Sequence, residues 1–341
     1  MRRLLFEYAK LLRLPGLGGL SLAPVFGALS LIELGVDISF IDLVLMFLLG
    51  IISAIYSFVS NDIFDIEIDK LSENTKKRPL VTGVISIRTA AFISALCILI
   101  AVFIAFFFYY RNHISFYFAL FSMFMAAVLG TIYNVYGKKF SLSAFIAALA
   151  EVFLVLVGVF LLSPTGSLSI FTLIIMILMF NQTLFMTAVI GGIKDADHDY
   201  LLNMKTLALS SGVKLTKDKK LTIPLGFKLF GFGTRLISAI VLFIPSVFYH
   251  IDYSYWEIIL LAFVTISVLI FTIKLLNLKS IKEDKVAKFA GLQGIIRYTF
   301  VPFLLLPLID IFNALILIIF PIIWYIVFTA ISGMKLFKDT M

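Results

Sequence analysis

Seven of the twenty acidic residues in this chain fall in two short clusters, Asn61-Asp62-Ile63-Phe64-Asp65-Ile66-Glu67-Ile68-Asp69 and Lys194-Asp195-Ala196-Asp197-His198-Asp199. Each cluster closes a long apolar run, where acids are costly to place unless they bind cations or move protons. If the first run continues as a helix, Asn61, Asp65 and Asp69 share one stripe at i, i+4, i+8, with Asp62 flanking it. Asp195 and Asp199 repeat the i, i+4 pair. Carboxylates so spaced offer hard oxygens to Mg²⁺, which keeps some waters and takes its remaining ligands from phosphate. Two such stripes facing across a helical bundle would clamp a diphosphate between two or three ions. His198 is a poor ligand for so hard a cation and reads as a solvated loop histidine. A single acidic run between Lys-rich segments would pass as a solvated loop whose ion pairs contribute little. Two of them at equivalent positions read as functional.

Basic residues accompany both clusters. Arg78 stands beside Pro79 with Lys76 and Lys77 before it, and Lys138 and Lys139 follow Tyr133 and Tyr136. Lys194 and Lys205 bracket the second cluster. Such cations can stabilise a departing diphosphate, although membrane topology alone also places Lys and Arg near span ends. Lys214, Lys217, Lys219 and Lys220 have only that topological explanation.

The elements that must carry these groups are membrane helices. The 341 residues are 62% hydrophobic and 14% charged, with a mean hydropathy of +1.10. A soluble domain carries nearer a quarter charged residues, and repeated apolar runs of about twenty residues span bilayers. Spans are expected at roughly 16–34, 40–60, 88–110, 114–134, 143–162, 168–192, 235–250, 255–276, 291–309 and 311–332. With the N-terminus in the cytoplasm, all but Arg111 of the 28 Lys and Arg lie on the cytoplasmic side. That account includes the eight in 194–235, the six from Lys274 to Arg297, and Lys335 and Lys338 in the tail. Both acidic clusters then face the cytoplasm. The expected fold is an all-α, polytopic membrane bundle of nine to ten helices. It forms one domain over 1–341, with an extended cytoplasmic connection at 200–235 and an internal duplication relating spans one to four to spans five to eight.

The net charge of +8 comes without a basic stripe interleaved with aromatics, so nucleic acid is not an expected partner, and no obligatory protein partner is evident. The single cysteine, Cys97, excludes a disulfide framework. Leu17-Gly18-Gly19 and Gly231-Phe232-Gly233 follow no strand and are not nucleotide loops. Gly191-Gly192, just before the second cluster, would allow close helix packing or a kink.

At these residues the chain resembles the intramembrane prenyltransferase (UbiA) superfamily, as an archaeal-type member. The first cluster is similar to that family's NDxxDxxxD motif at Asn61, Asp62, Asp65 and Asp69. The RTxxRP-like segment that follows it is matched by Thr75, Arg78 and Pro79, with Asn74 in place of the first arginine and Lys76 or Lys77 to supply its charge. The second cluster resembles DxxxD at Asp195 and Asp199, followed by Lys205-Thr206-Leu207. Tyr133, Lys138 and Lys139 match the family's Tyr-then-basic loop loosely, and Arg13 with Pro15 is similar to its N-terminal Arg-Pro.

The resemblance implies Mg²⁺ held at Asn61, Asp62, Asp65, Asp69, Asp195 and Asp199. It implies catalytic roles for Arg78, Lys138 and Tyr133, and substrate contacts from Lys76, Lys77, Lys139, Lys194, Lys205 and Arg13. A prenyl diphosphate would ionise to an allylic cation, and a small acceptor would attack C1. The implied acceptor is an aromatic quinone precursor. The alternative is a prenylglyceryl phosphate, from whose DxEGD form the second cluster departs. CDP-alcohol phosphotransferases are set aside because DGxxAR and GxxxDxxxD are missing. An ion-coupled transporter would place its acids near the bilayer midplane, whereas these lie at span ends.

Overall fold

The computed structural model describes residues 2–71, 75–110, 113–215, 220–249, 251–279 and 299–332. Asn74, Arg111, Lys217, Lys219, Arg297, Lys335, Lys338 and the first part of the span expected at 291–309 lie outside the described residues, as do the side chains of Asp197 and His198. The described residues are mostly helical. It divides into two compact units, the first comprising Met1–Val135, Phe153–Ser169 and Ile319–Met341, the second Tyr136–Val152 and Ile170–Ile318.

In chain order, α1 is Arg2–Leu11, α2 Leu14–Leu20, α3 Ala23–Leu29, α4 Phe40–Phe64, α5 Ile66–Asp69, α6 Ile87–Phe106, α7 His113–Tyr136 and α8 Ser143–Leu162. Then come α9 Ile170–Leu184, a π-helical segment Phe185–Gly191, α10 Gly192–Lys194, α11 Ala196–Leu201 and α12 Leu207–Ser210. A small antiparallel hairpin, β1 Lys214–Leu215 and β2 Leu221–Thr222, leads to α13 Leu225–Val241, α14 Ile244–Phe248, α15 Tyr255–Leu276 and α16 Ile311–Ile331. Among the described residues, eight helical runs are long and apolar enough to cross a bilayer, the first Leu4–Leu34 and the last Ile311–Ile331. Apolar side chains such as Phe40, Phe103 and Phe312 stand outward, as a lipid-facing surface requires.

Local chemistry sets the helix starts. Ser39 accepts the N–H of Asp42 while the Asp42 carboxylate returns to the Ser39 N–H, a capping box that opens α4. Ser86 caps α6 through the Thr89 N–H, and Ser254 with Glu257 forms a second box at α15.

In the first unit, α2 and α3 pack on α4, which packs on α6. Small residues permit the close approach: a Cβ at Gly50 would overlap the Ser21 carbonyl, and one at Gly158 the Pro24 carbonyl. Gly158→Val is expected to lower stability by about 1–3 kcal/mol through overpacking. Gly130→Ala, with open space around it, should lose none. Thermal unfolding in detergent compares the two.

In the second unit, α13 packs on α9 and α15. The connection expected to run out to 235 ends earlier, because α13 begins at Leu225 and breaks after Val241 rather than forming a span over 235–250. Arg235, assigned by charge to a cytoplasmic loop, is instead buried inside α13 at 1% exposure. Its charge is accommodated by the Gln182 amide oxygen and the face of Phe185.

Candidate active site: two buried acid–cation clusters

The first motif sits where α4 gives way to α5. Asp65 interrupts the helix with φ −90° and ψ 1°, yet the backbone bonding continues: its N–H donates to Asn61 O at 2.9 Å, and the Asp69 N–H donates to Asp65 O at 2.8 Å. The break resolves the expected single stripe into two pairs. Asn61 donates to Asp65 Oδ2 at 3.1 Å, and both stay partly exposed. Asp62 and Asp69 are buried, at 3% and 4% exposure.

One nitrogen, Arg78 Nη1, lies between the two buried carboxylates, 3.1 Å from Asp62 Oδ1 and 2.6 Å from Asp69 Oδ2. Arg13 Nη2 reaches the same Asp62 oxygen at 2.8 Å. Arg13 does so from a left-handed backbone, φ 47°, at the turn between α1 and α2. That conformation costs a non-glycine residue about 1–2 kcal/mol. Its guanidinium also lies over the Phe58 ring, 4.8 Å from the centroid. Burial raises the Asp69 carboxyl above the ordinary carboxylate range, and the adjacent Arg78 charge opposes that rise. Lys76 and Lys77 are exposed beside this cluster. Tyr133 lies on α7, next to Asn134, which sequence reading had passed over. Asn134 is buried and donates to Ser57 O at 3.0 Å and Ser60 Oγ at 2.8 Å, tying α7 to α4 just ahead of the motif. An amide inside an apolar run was the signal that could have found it.

The second motif repeats this local geometry within its own unit. Asp195 interrupts the helix with φ −97° and ψ 8°. Its N–H donates to Gly191 O at 2.9 Å, and the Asp199 N–H donates to Asp195 O at 2.8 Å. Asp199, like Asp69, is buried, and Lys138 Nζ lies 4.0 Å from its carboxylate. Lys138 also accepts the Lys205 N–H on its carbonyl at 2.9 Å, which joins the end of α7 to the loop after the motif. Lys139 turns to the Tyr136 ring, and Lys194 and Lys205 are exposed. A core of Phe185, Val189, Ile190, Ile193, Ala196 and Ala208 backs the motif.

Both motifs supply hard oxygen donors of the kind Mg²⁺ prefers. Among the described residues no three His, Cys, Asp or Glu side chains converge on one point. Each motif offers a pair, which suits an ion that takes one or two carboxylates and completes its shell from phosphate. In the first motif a guanidinium nitrogen already fills the place between two buried carboxylates where a cation belongs.

A multi-pass helical membrane protein with two matched acid–cation clusters at its helix ends defines a narrow class, and the family match agrees with it. Residues 21–293 match the UbiA prenyltransferase family, and the chain belongs to that family. It is a membrane-embedded prenyltransferase. The fold is similar to that of a digeranylgeranylglyceryl phosphate synthase, with a TM-score of 0.65 and 20% identity over 91% of this chain and 100% of that one. It is also similar to an apo UbiA homologue from Aeropyrum pernix K1, with a TM-score of 0.63 and 17% identity over 84% and 94%. A UbiA homologue from Archaeoglobus fulgidus, bound to GPP and Mg²⁺, matches with a TM-score of 0.58 and 19% identity over 89% and 99%. No curated protein sequence matches the chain.

Proposed function

We propose that the protein transfers a prenyl group from a prenyl diphosphate to a small aromatic acceptor of the quinone-precursor class, with Mg²⁺ at both motifs. The observation that carries this reading is the recurrence of one local geometry. At Asp65–Asp69 and again at Asp195–Asp199, a helix break precedes a buried carboxylate with a cation beside it. The solved A. fulgidus homologue with GPP and Mg²⁺ supports the choice of ligand.

In this reading Asn61, Asp62, Asp65, Asp69, Asp195 and Asp199 hold the ions. Bound Mg²⁺ neutralises charge that builds on the leaving oxygen. Arg78 and Lys138, each already against a motif carboxylate, stabilise the departing diphosphate, and Tyr133 lines the reacting carbon. Arg13, Lys76, Lys77, Lys139, Lys194 and Lys205 orient the substrates. The C1–O bond breaks with its electron pair leaving on diphosphate; the acceptor bonds to C1 and loses a proton. The chain acts as one prenyltransferase domain built by duplication of a four-helix unit. Its N-terminus and both motifs face the cytoplasm. The departure of Asp195-Ala196-Asp197-His198-Asp199 from DxEGD favours the aromatic acceptor over a prenylglyceryl phosphate.

Membranes carrying the protein, supplied with labelled geranylgeranyl diphosphate and Mg²⁺, are expected to label a hydroxybenzoate-type acceptor. EDTA should reduce that labelling at least about a hundredfold. Label on prenylglyceryl phosphate alone would reassign the acceptor, and chelator-resistant transfer would remove Mg²⁺ from the reaction.

A further inference from the structure

The two motifs differ in what leads into them. The α4 helix is α-helical from Phe40 to Phe64, directly up to Asp65. The helix leading to Asp195 passes through seven π-helical residues, Phe185–Gly191. A π segment inserts about one extra residue into a helix and so rotates everything after it by about 100°. The azimuth of Asp195 and Asp199 therefore depends on whether this segment stays π-helical.

Arg235 sits at the start of that segment. Its guanidinium carbon lies 3.9 Å from the centroid of Phe185, the first π-helical residue, and it donates to the Gln182 amide oxygen one turn earlier. One turn before Arg235 on α13, Gly231 also faces the π segment: a Cβ there would stand 3.4 Å from Val189 Cγ1, an ordinary contact, and 3.2 Å from Leu276 Cδ2 of α15. A cation buried at 1% exposure costs too much to serve as filler. A flat, charged group stacked on one side chain and bonded to another fixes both in direction.

We infer that Arg235 is a positioning residue. By clamping Phe185 and Gln182 it holds the π segment that aims Asp195 and Asp199 at their metal. This rests on the proposed Mg²⁺–diphosphate reading.

The test is Mn²⁺ binding by electron paramagnetic resonance on the purified full chain with geranyl diphosphate. The variants are Arg235→Met, Arg235→Lys, Phe185→Leu and Asp195→Asn. Wild type should bind Mn²⁺ at both motifs and Asp195→Asn should lose the second-motif ion while keeping the first, which reports on the metal reading independently. The monodisperse fraction of Arg235→Met is expected to bind at least about tenfold more weakly, as support groups around metal ligands typically show. Arg235→Lys, which keeps the charge and the bond to Gln182, should recover to within about threefold. If Arg235→Met does not fold, Phe185→Leu decides, with weakening of about fivefold or more expected. A merely structural arginine would lower the yield of folded protein and leave Mn²⁺ affinity unchanged; that result overturns the inference. Wild type without Mn²⁺ binding would overturn the metal reading and this inference together.

Discussion

Asp69→Asn is expected to reduce prenyl transfer by about a hundred- to a thousandfold while leaving membrane insertion intact. Asparagine keeps the shape of the side chain and an acceptor for Arg78 Nη1, now 2.6 Å from Asp69 Oδ2. What it removes is a buried negative charge, and with it the reason for a divalent ion to sit there. Its counterpart in the second motif, Asp199→Asn, should lose activity to a similar degree, because that carboxylate is buried like Asp69 and has the Lys138 ammonium 4.0 Å away. Turnover measured in membranes at equal protein levels checks both. Activity within a few-fold of wild type in either variant would take that carboxylate out of the metal site.

Arg78→Ala acts on the same cluster from the other side. It leaves Asp62 and Asp69 buried and facing each other without the cation they share. Removing one partner of a buried pair costs about 3–5 kcal/mol. The Arg78 side chain is 30% exposed, so solvent screening reduces that to about 1–3 kcal/mol. Two effects follow. Prenyl diphosphate should bind at least about tenfold more weakly, since a charge-assisted contact is lost. Mg²⁺ should also raise the thermal midpoint of Arg78→Ala more than that of wild type, because the ion takes the place the guanidinium held. Thermal unfolding with and without Mg²⁺ measures this directly. An equal Mg²⁺ response in both proteins would mean that the ion and Arg78 do not compete for the same carboxylates.

The acidic motifs were legible in the sequence because their i, i+4 spacing survives the helix break. Backbone bonding runs unbroken from Asn61 through Asp65 to Asp69, and from Gly191 through Asp195 to Asp199. The break itself was not legible. No proline or glycine marks Asp65, and without the break the pairing of Asp62 with Asp69 through Arg78 cannot be foreseen. Nor could spacing alone predict that Arg13, far away in the chain, bonds Asp62; a left-handed turn between two helices puts it there.

Arg235 shows the limit of counting charges. The positive-inside rule treats every Lys and Arg as a solvated end group, and a buried guanidinium bonded to Gln182 and stacked on Phe185 escapes it. The same segment misled the hydropathy reading. Gly226, Lys228, Gly231 and Gly233 dilute the first half of α13, which moved the expected span toward 235–250 although the helix starts at Leu225.

The central claim is that the paired acid clusters hold a diphosphate through Mg²⁺. Calorimetric titration of geranyl diphosphate into the purified protein, with Mg²⁺ and then with EDTA, tests it most directly. The account predicts saturable binding with Mg²⁺ that is lost in EDTA and lost in Asp69→Asn. Binding of equal strength in EDTA, or none in either condition, would contradict it.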